Sequence, residues 1–238
     1  MKQIITILQI VAFSLIFISA QATDREVRDL QSFSGISVSS GVNAEIIRGD
    51  HNEIAISVDG IELDRVETRI KNDVLVVSVK QKKFWFGGWK KKDIDVVITY
   101  TEELESLRAS SGSQLYASHT IVTDDLDIDV SSGALIDVDL DANEVDIDIS
   151  SGSVTKIAGV SDIAYIESSS GATFRGYDLR VDKVRTDGSS GSSIEITVLT
   201  DLRAEVSSGA SVRYKGDPKN TEVDKGSGGS VKQVSSGI

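Results

Sequence analysis

The chain lacks cysteine altogether and contains a single proline, and these absences exclude several kinds of structure. Disulfide bonds, thiolate metal sites and a lipid anchor on a processed cysteine all require a residue that is missing. Aromatic residues make up only 5% of the chain, whereas valine, isoleucine and glycine are frequent. A composition rich in β-branched residues and glycine favours strands closed by tight turns over helices.

Positive charge is scarce as well, because 25 basic residues face 37 acidic ones and the net charge is −12. Such a surface repels nucleic acid and anionic membranes, so we expect neither to be a partner of the whole molecule. The chain has only two histidines and no phosphate-binding glycine motif. No serine is marked out as a nucleophile beside a histidine. We therefore predict no catalytic residues, no enzyme activity and no cofactor.

The N-terminus has the pattern of a secretory signal peptide. Lys2 precedes an apolar stretch over residues 4–18, and Ala20-Gln21-Ala22 forms a small-x-small cleavage pattern. An uncleaved membrane anchor is the alternative, but the apolar stretch is shorter than the roughly 20 residues that a spanning helix needs. We predict that residues 1–22 are removed. The protein is then periplasmic, associated with the outer membrane or secreted, with no membrane span in the mature chain.

A Ser-Ser-Gly motif recurs through the second half of the chain at nearly constant spacing. The six copies end at Gly112, Gly133, Gly152, Gly171, Gly191 and Gly209, and an earlier copy ends at Gly41. Apolar residues flank the copies at every second position, which is typical of strands with one buried face. Since one unit cannot bury that face alone, the units must stack. The sequence predicts an all-β fold, namely a β-solenoid resembling a right-handed β-helix.

The corner itself also allows a prediction about side chains. Glycine reaches positive φ at little cost, so the chain bends there. The serine before each glycine shares its parity with the flanking apolar positions, so we expect it to point inward, where a larger side chain would not fit. These residues are Ser111, Ser132, Ser151, Ser170, Ser190 and Ser208.

The repeat divides the mature chain into two parts. Residues 104–234 form the solenoid repeat, and residues 235–238 are a short tail. Residues 23–103 form a less regular N-terminal β portion, in which the Gly41 corner predicts a first solenoid turn. This portion also contains a segment rich in lysine and aromatic residues, at positions 80–92.

The segment 80–92 holds both tryptophans of an otherwise aromatic-poor chain, together with six lysines. Exposed, its aromatic rings could stack on sugars, insert at a membrane surface or anchor a protein, with lysines meeting anionic groups. Folded back, they would cap the apolar end of the solenoid. Five residues are the candidate binding residues, namely Trp85, Phe86, Trp89, Lys90 and Lys91.

Carboxylates recur with the repeat, four residues before successive glycines. They are Asp129, Asp148, Glu167 and Asp187, followed by Glu205. Stacked on an outward face, they would form an acidic ladder. Since like charges across a ladder destabilise it, either solvent and nearby arginines screen them or calcium binds. The first four are therefore weak candidates for calcium ligands. The alternative is that these carboxylates form a solvated outer face with no bound ion.

The order of these motifs resembles one known family. The opening Phe33-x-x-Ile36-x-Val38-x-Ser40-Gly41-Val42, the lysine-rich aromatic segment and the series of Ser-Ser-Gly corners together resemble the head GIN domain family. Its members are described as "putative auto-transporter adhesin" domains of unknown function and occur in exported proteins of Bacteroidetes-type bacteria. The resemblance implies a solenoid-like β fold and an extracytoplasmic location, and it supplies no catalytic residues.

From these observations we expect a non-enzymatic, exported binding or structural module, resembling an adhesin or associated with the cell envelope. Its partner would be a carbohydrate, an envelope component or a protein. Two alternatives remain open. One is a polysaccharide lyase or hydrolase using a carboxylate-lined groove, and the other is a structural oligomer unit joined through exposed solenoid ends.

Overall fold

A computed structural model describes residues 24–80 and 92–235. The predicted signal peptide and most of the segment 80–92 therefore lie outside the described residues, as does most of the short tail. The described chain forms a nearly all-β solenoid of about seven turns, with less regular strands at the N-terminal side. This confirms the predicted fold class.

Sixteen strands join in one continuous sheet that coils around a single core. The strands are β1 (Asp24–Asp29), β2 (Gly35–Val38), β3 (Asn43–Arg48), β4 (Glu53–Asp59), β5 (Val66–Lys71), β6 (Val74–Val79), β7 (Asp93–Tyr100), β8 (Ser106–Ala109), β9 (Gln114–Val130), β10 (Leu135–Ile149), β11 (Val154–Ser168), β12 (Thr173–Gly188), β13 (Ser193–Val206), β14 (Ser211–Lys215), β15 (Asn220–Lys225) and β16 (Ser230–Gln233). A short 3-10 turn spans Leu63–Arg65.

The five long strands β9 to β13 bend midway, so that each contributes to two sides of the solenoid. The first half of β9 pairs with β3, and its second half pairs with β8. We call these sides face A and face B. Face A runs in space through β1, β4, β7, β3, the first halves of β9 to β13, β14 and β16. Face B runs through β5, β6, β2, β8, the second halves of β9 to β13, and β15.

Successive turns pair in parallel and in register, as the repeat predicts. Ile128, Ile147 and Ile166 are aligned on neighbouring strands of face B, and all three are buried. The Gly41 corner, between β2 and β3, also forms a solenoid turn, because β2 pairs with β8 and β3 pairs with β9. Burial of one apolar residue in every two along each strand supplies most of the stabilising free energy.

The order of turns in space differs from their order along the chain at the N-terminal end. β6 pairs in parallel with β2, and β7 pairs in parallel with β3, so β6 and β7 form a turn outside the Gly41 turn. Beyond them lie antiparallel strands, since β5 pairs with β6, β4 with β7 and β1 with β4. These outer strands cover the N-terminal end of the core.

Candidate functional site

The six Ser-Ser-Gly corners from Gly112 to Gly209 all form the same tight turn at one edge of the solenoid, which we call the corner edge. In the first of these, Ser111 and Gly112 have φ values of 55° and 71°, and the Ser113 N–H donates to the Ser110 carbonyl at 3.2 Å. Two successive positive φ values closed by this hydrogen bond define a type I′ turn. The turn needs φ > 0 twice, which glycine supplies freely and serine supplies at some cost in strain.

The prediction that the second serine points inward is wrong. Ser111 and its equivalents are exposed, because the two central residues of a type I′ turn project from the edge into solvent. The small buried residue is instead the one after the glycine, which alternates between serine and alanine from Ser113 to Ala210. Where it is serine, its hydroxyl satisfies a backbone carbonyl inside the solenoid, as in the 2.8 Å bond from Ser153 Oγ to Val130 O.

The corners also bond to one another along the edge. The Gly41 N–H donates to the Ser111 carbonyl at 3.1 Å, and the same bond recurs from each corner glycine to the second serine of the next corner, as far as Ser208. Because a trans peptide holds its N–H and C=O on opposite sides, these peptide units all point the same way. The column ties successive corners together along the corner edge.

One turn of the solenoid departs from this edge, and it is the turn formed by β6 and β7. Val38 is aligned with Val77 and Asn43 with Asp95. Four residues, 39–42, separate Val38 from Asn43, whereas seventeen residues, 78–94, separate the equivalent positions Val77 and Asp95. The lysine-rich aromatic segment therefore connects two aligned strands that the other turns connect through a four-residue corner. The candidate residues Trp85, Phe86, Trp89, Lys90 and Lys91 themselves lie outside the described residues.

Lys80, the first residue of the segment, is firmly held. The guanidinium of Arg65, which is 9% exposed, donates to the Lys80 carbonyl at 2.7 Å and 3.3 Å. The Lys80 N–H in turn donates to the Arg65 carbonyl at 2.9 Å. Hydrogen bonds from a charged donor are among the stronger ones in proteins, so Arg65 fixes the point at which the segment begins.

The acidic ladder forms as predicted on the outward side of face B. Asp129, Asp148, Glu167 and Asp187 are aligned on adjacent strands, and all four are exposed. With Ser150, Ser169 and Ser189 they line a shallow groove of about 350 Å³ beside the corner edge. Among residues 24–80 and 92–235, no group of three or more His, Asp or Glu side chains is arranged to hold a metal ion.

Repulsion between neighbouring carboxylates of the ladder raises the pKa of two of them. Partial burial, and then the charges of Asp129 and Asp127, raise the pKa of Asp148. The pKa of Glu167 is raised first by Asp148, then by burial and by Asp187, while Arg185 acts in the opposite direction. Such groups bind protons more tightly in the folded chain than in the unfolded one. The ladder therefore destabilises the fold when ionised, and protonation relieves this.

Removing one charge from the ladder should stabilise the protein at neutral pH. We expect Asp148→Asn to raise the free energy of unfolding by about 0.5 kcal/mol at pH 7, the usual cost of like charges facing each other across strands. As pH falls through the raised pKa and below the ordinary value of 3.8, the carboxyl becomes neutral in the folded and the unfolded chain, and the difference should vanish. Urea unfolding at pH 7 and pH 3 measures both effects.

The matched control for this substitution is Asp139→Asn on the neighbouring face A. Asp139 is exposed too, but Thr120 and Ala158 stand beside it on the adjacent strands. It should change the stability little at either pH. A stabilisation by Asp148→Asn that persists undiminished at pH 3 would show that repulsion is not its cause.

A second groove next to the ladder was missed by the sequence reasoning. It has a volume of about 240 Å³ and is lined by Asp146, Tyr165, Glu167 and Arg185, among others. Tyr165 is 37% exposed and lies between Asp146 and Arg185 on the adjacent strands. Its position in the repeat, two residues before Glu167, was the available signal.

Comparison with known proteins agrees with this architecture. A family model described as "Putative auto-transporter adhesin, head GIN domain" matches residues 32–218. No curated protein matches the chain significantly. In the described part of the chain, no helix has the length and apolar character needed to cross a bilayer.

Solved structures share the fold at low sequence identity. A putative adhesin from Bacteroides fragilis is 18% identical, with a TM-score of 0.79 over 90% of this chain and 98% of its own. One from Parabacteroides merdae is 17% identical, with a TM-score of 0.71 over 89% and 96%. A protein from Parabacteroides distasonis described as a putative lipid binding protein is 14% identical, with a TM-score of 0.66 over 89% and 96%. Since the family model covers most of the sequence, the chain belongs to the head GIN domain family of "putative auto-transporter adhesin" proteins.

Proposed function

We propose that the protein is an exported, non-enzymatic adhesion module that contacts its ligand through the segment 80–92. The observation that carries this proposal is that seventeen residues separate Val77 from Asp95, whereas a four-residue corner separates the aligned positions Val38 and Asn43. Insertions into a repeat map to loops on one side of the solenoid, which is often the binding side.

The structure of the N-terminal end supports binding over capping. The described strands β1, β4 and β5 already cover this end of the core, where Ile54 and Val66 are buried. The solenoid thus has an end cap without the two tryptophans. The base of the segment is fixed by Arg65, which would limit the entropy lost when the segment binds.

Charge supports a specific orientation of binding. The whole chain carries a net charge of −12, whereas the segment holds six lysines and no acid. An anionic surface would repel the body and attract the segment, so the protein would approach it with this end first. The fitting ligand has an anionic group next to a flat ring face or an apolar surface. A charged glycan and a lipid headgroup share that chemistry, and one relative by fold is described as lipid-binding.

Alanine at both tryptophans tests the proposal. We expect Trp85→Ala with Trp89→Ala to weaken binding at least tenfold and to leave the unfolding temperature unchanged, because stacked or inserted tryptophans dominate such contacts. Binding would be measured on an array of acidic and neutral glycans and on vesicles with and without anionic lipid. These two supports separate the two sources of the ligand.

The matched control is Tyr177→Ala, which removes a partly exposed aromatic ring from β12, five strands away from β7. It should bind as the unmodified protein does. Unchanged binding by the double tryptophan variant, together with a clear loss of stability, would favour a capping role and overturn the proposal.

A second candidate function is a polysaccharide lyase or hydrolase, favoured by one observation. Carboxylates with raised pKa values line the groove on face B, and a general acid in sugar cleavage needs such a shift. Incubation of the protein with a panel of acidic and neutral polysaccharides decides between the candidates. Cleavage that Glu167→Gln abolishes would establish the enzyme and overturn the adhesion module.

A further inference from the structure

The two ends of the solenoid differ in how they treat their edge strands. At the N-terminal end, Glu26 and Arg28 on β1 are aligned with the buried residues Ile56 and Ile54 and thus point inward. Arg28 reaches across to β5, where its guanidinium donates to the Val66 carbonyl at 2.8 Å and to Thr68 Oγ1 at 3.1 Å. Charges that point inward from an edge strand oppose pairing with another sheet.

The C-terminal end carries less of this protection within the described residues. There, β15 pairs only with β13, and β16 pairs only with β14. The inward positions carry Thr221, Val223 and Lys225 on β15, and Val231 and Gln233 on β16. Val223 is 37% exposed, Val231 is partly buried against the core, and Lys225 is the one inward charge on these two strands. Each strand therefore offers a row of backbone donors and acceptors beside an apolar side chain, which is a template for another strand.

The shape of this end selects how a second copy could fit. Because the chain coils, β15 on face B stands half a turn before β16 on face A. A twofold axis along the strand direction exchanges the two faces, so β16 of the second copy meets β15 and β15 of the second copy meets β16. Both pairs are then antiparallel and one strand spacing apart. A twofold axis perpendicular to the faces would instead pair β15 with β15 and β16 with β16. When the two β16 strands are one strand spacing apart, the two β15 strands are then two spacings apart.

The side chains match in this arrangement. The axis passes near Ser227 in the last corner, so residues equally distant from Ser227 come together. Glu222 then faces Lys232 of the other copy, Val223 faces Val231, Asp224 faces Ser230, and the inward Lys225 faces Gly229. The first pair lies on the outward side, since Glu222 is aligned with Arg203 and Lys232 with Arg213, which are exposed. Opposite charges and paired apolar residues both stabilise cross-strand neighbours.

We infer that the mature protein forms a twofold dimer through β15 and β16, with β15 of each copy antiparallel to β16 of the other. The interface is isologous and therefore closed, and the charged N-terminal ends stay free, so a head-to-tail fibre is not expected. The segment 80–92 lies at the opposite end of each solenoid. The dimer would present two such ends facing apart, and it does not depend on what the segment binds.

Charge reversal at the proposed interface tests this inference. Sedimentation equilibrium of the mature chain from about 1 µM to 1 mM should show a dimer in this range. We expect Lys232→Glu to weaken dimerisation at least tenfold, because Glu222 then faces a like charge across the strands. Adding Glu222→Lys restores the opposite charges in reversed order and should recover most of the lost affinity.

The matched control is Lys183→Glu, which makes the same change of charge on face B two strands before β15 and should leave dimerisation intact. Circular dichroism verifies that each variant is folded. Recovery of dimerisation by the double variant would show that the loss in Lys232→Glu comes from charge repulsion and not from misfolding. A mature chain that remains monomeric up to 1 mM overturns the inference. So does a dimer that Lys232→Glu leaves unchanged or that the double variant fails to restore.

Discussion

Replacing Gly159 by alanine should destabilise the protein by about 4 kcal/mol, the sum of backbone strain and overpacking. Gly159 lies in the middle of β11, where the alignment with β12 shifts as the strand bends from face A to face B. Its φ of +113° is one that side chains rarely allow. A Cβ atom there would overlap the carbonyl oxygen of Leu140 on the neighbouring strand.

The effect should be large because the added Cβ would meet backbone atoms, which cannot move aside as a flexible side chain could. Leu140 is paired with Gly159 in the parallel ladder, and its side chain is fully buried. The carbonyl can move only if the ladder between β10 and β11 opens locally, which breaks hydrogen bonds in two adjacent turns. Since stacked repeats depend on their neighbours, we expect the cost to appear in global unfolding measured by urea.

The control is the same substitution at a corner, Gly152→Ala. Gly152 has a φ of +68°, but a Cβ added there would meet no atom within 4 Å, because the corner projects into solvent. Only the left-handed backbone remains as a cost, about 1 kcal/mol. Equal destabilisation by the two variants would contradict the proposed overlap with Leu140.

Truncating Phe174 to alanine should cost about 3–5 kcal/mol, as is usual for a buried phenylalanine. Phe174 is fully buried in β12. Gly176, two residues later on the same strand, occupies a position that is apolar in neighbouring turns, such as Ile157 and Ile196. The structure explains this exception, because a Cβ on Gly176 would come within 2.5 Å of the Phe174 ring. The ring fills the space of the missing side chain.

This arrangement predicts that Gly176→Ala changes sign with its background. In the native chain the added methyl group should destabilise by about 1–2 kcal/mol, through contact with the Phe174 ring. After Phe174→Ala the same change should stabilise by about 0.5–1 kcal/mol, because alanine suits a strand interior better than glycine. A double-mutant cycle of urea unfolding measures the coupling. Additive effects of the two substitutions would refute the shared space.

Much of the solenoid follows from local sequence alone. Corner spacing fixes the length of each turn, and alternation from Leu126 to Val130 fixes which face of a strand is buried. Because each turn contacts only its neighbours, these short-range patterns repeat without ambiguity. The acidic ladder followed for the same reason, since equal offsets from successive glycines become adjacent positions across parallel strands.

The corner side chains show where this reasoning fails. Parity along a strand assumes extended backbone, whereas Ser132 and Gly133 both have positive φ, so the chain turns outward between them. The serine that parity placed inside is therefore exposed, and the buried small residue is Ala134. Only the type I′ geometry, which depends on how the two faces meet, decides this.

By itself, the sequence determined a cysteine-free β-solenoid with Ser-Ser-Gly corners and one interrupting segment rich in lysine and tryptophan, and it predicted export. Tertiary structure alone decided that β6 and β7 stack outside the Gly41 turn, and hence that this segment connects two aligned strands. It also decided that Arg28 points inward at the N-terminal end, whereas among the described residues β15 and β16 each pair with a strand on one side only. The physical reason is the separation along the chain between the residues that pair. These features depend on strands that are distant in sequence, such as the pairing of Val38 with Val77, and no local pattern specifies such a partner.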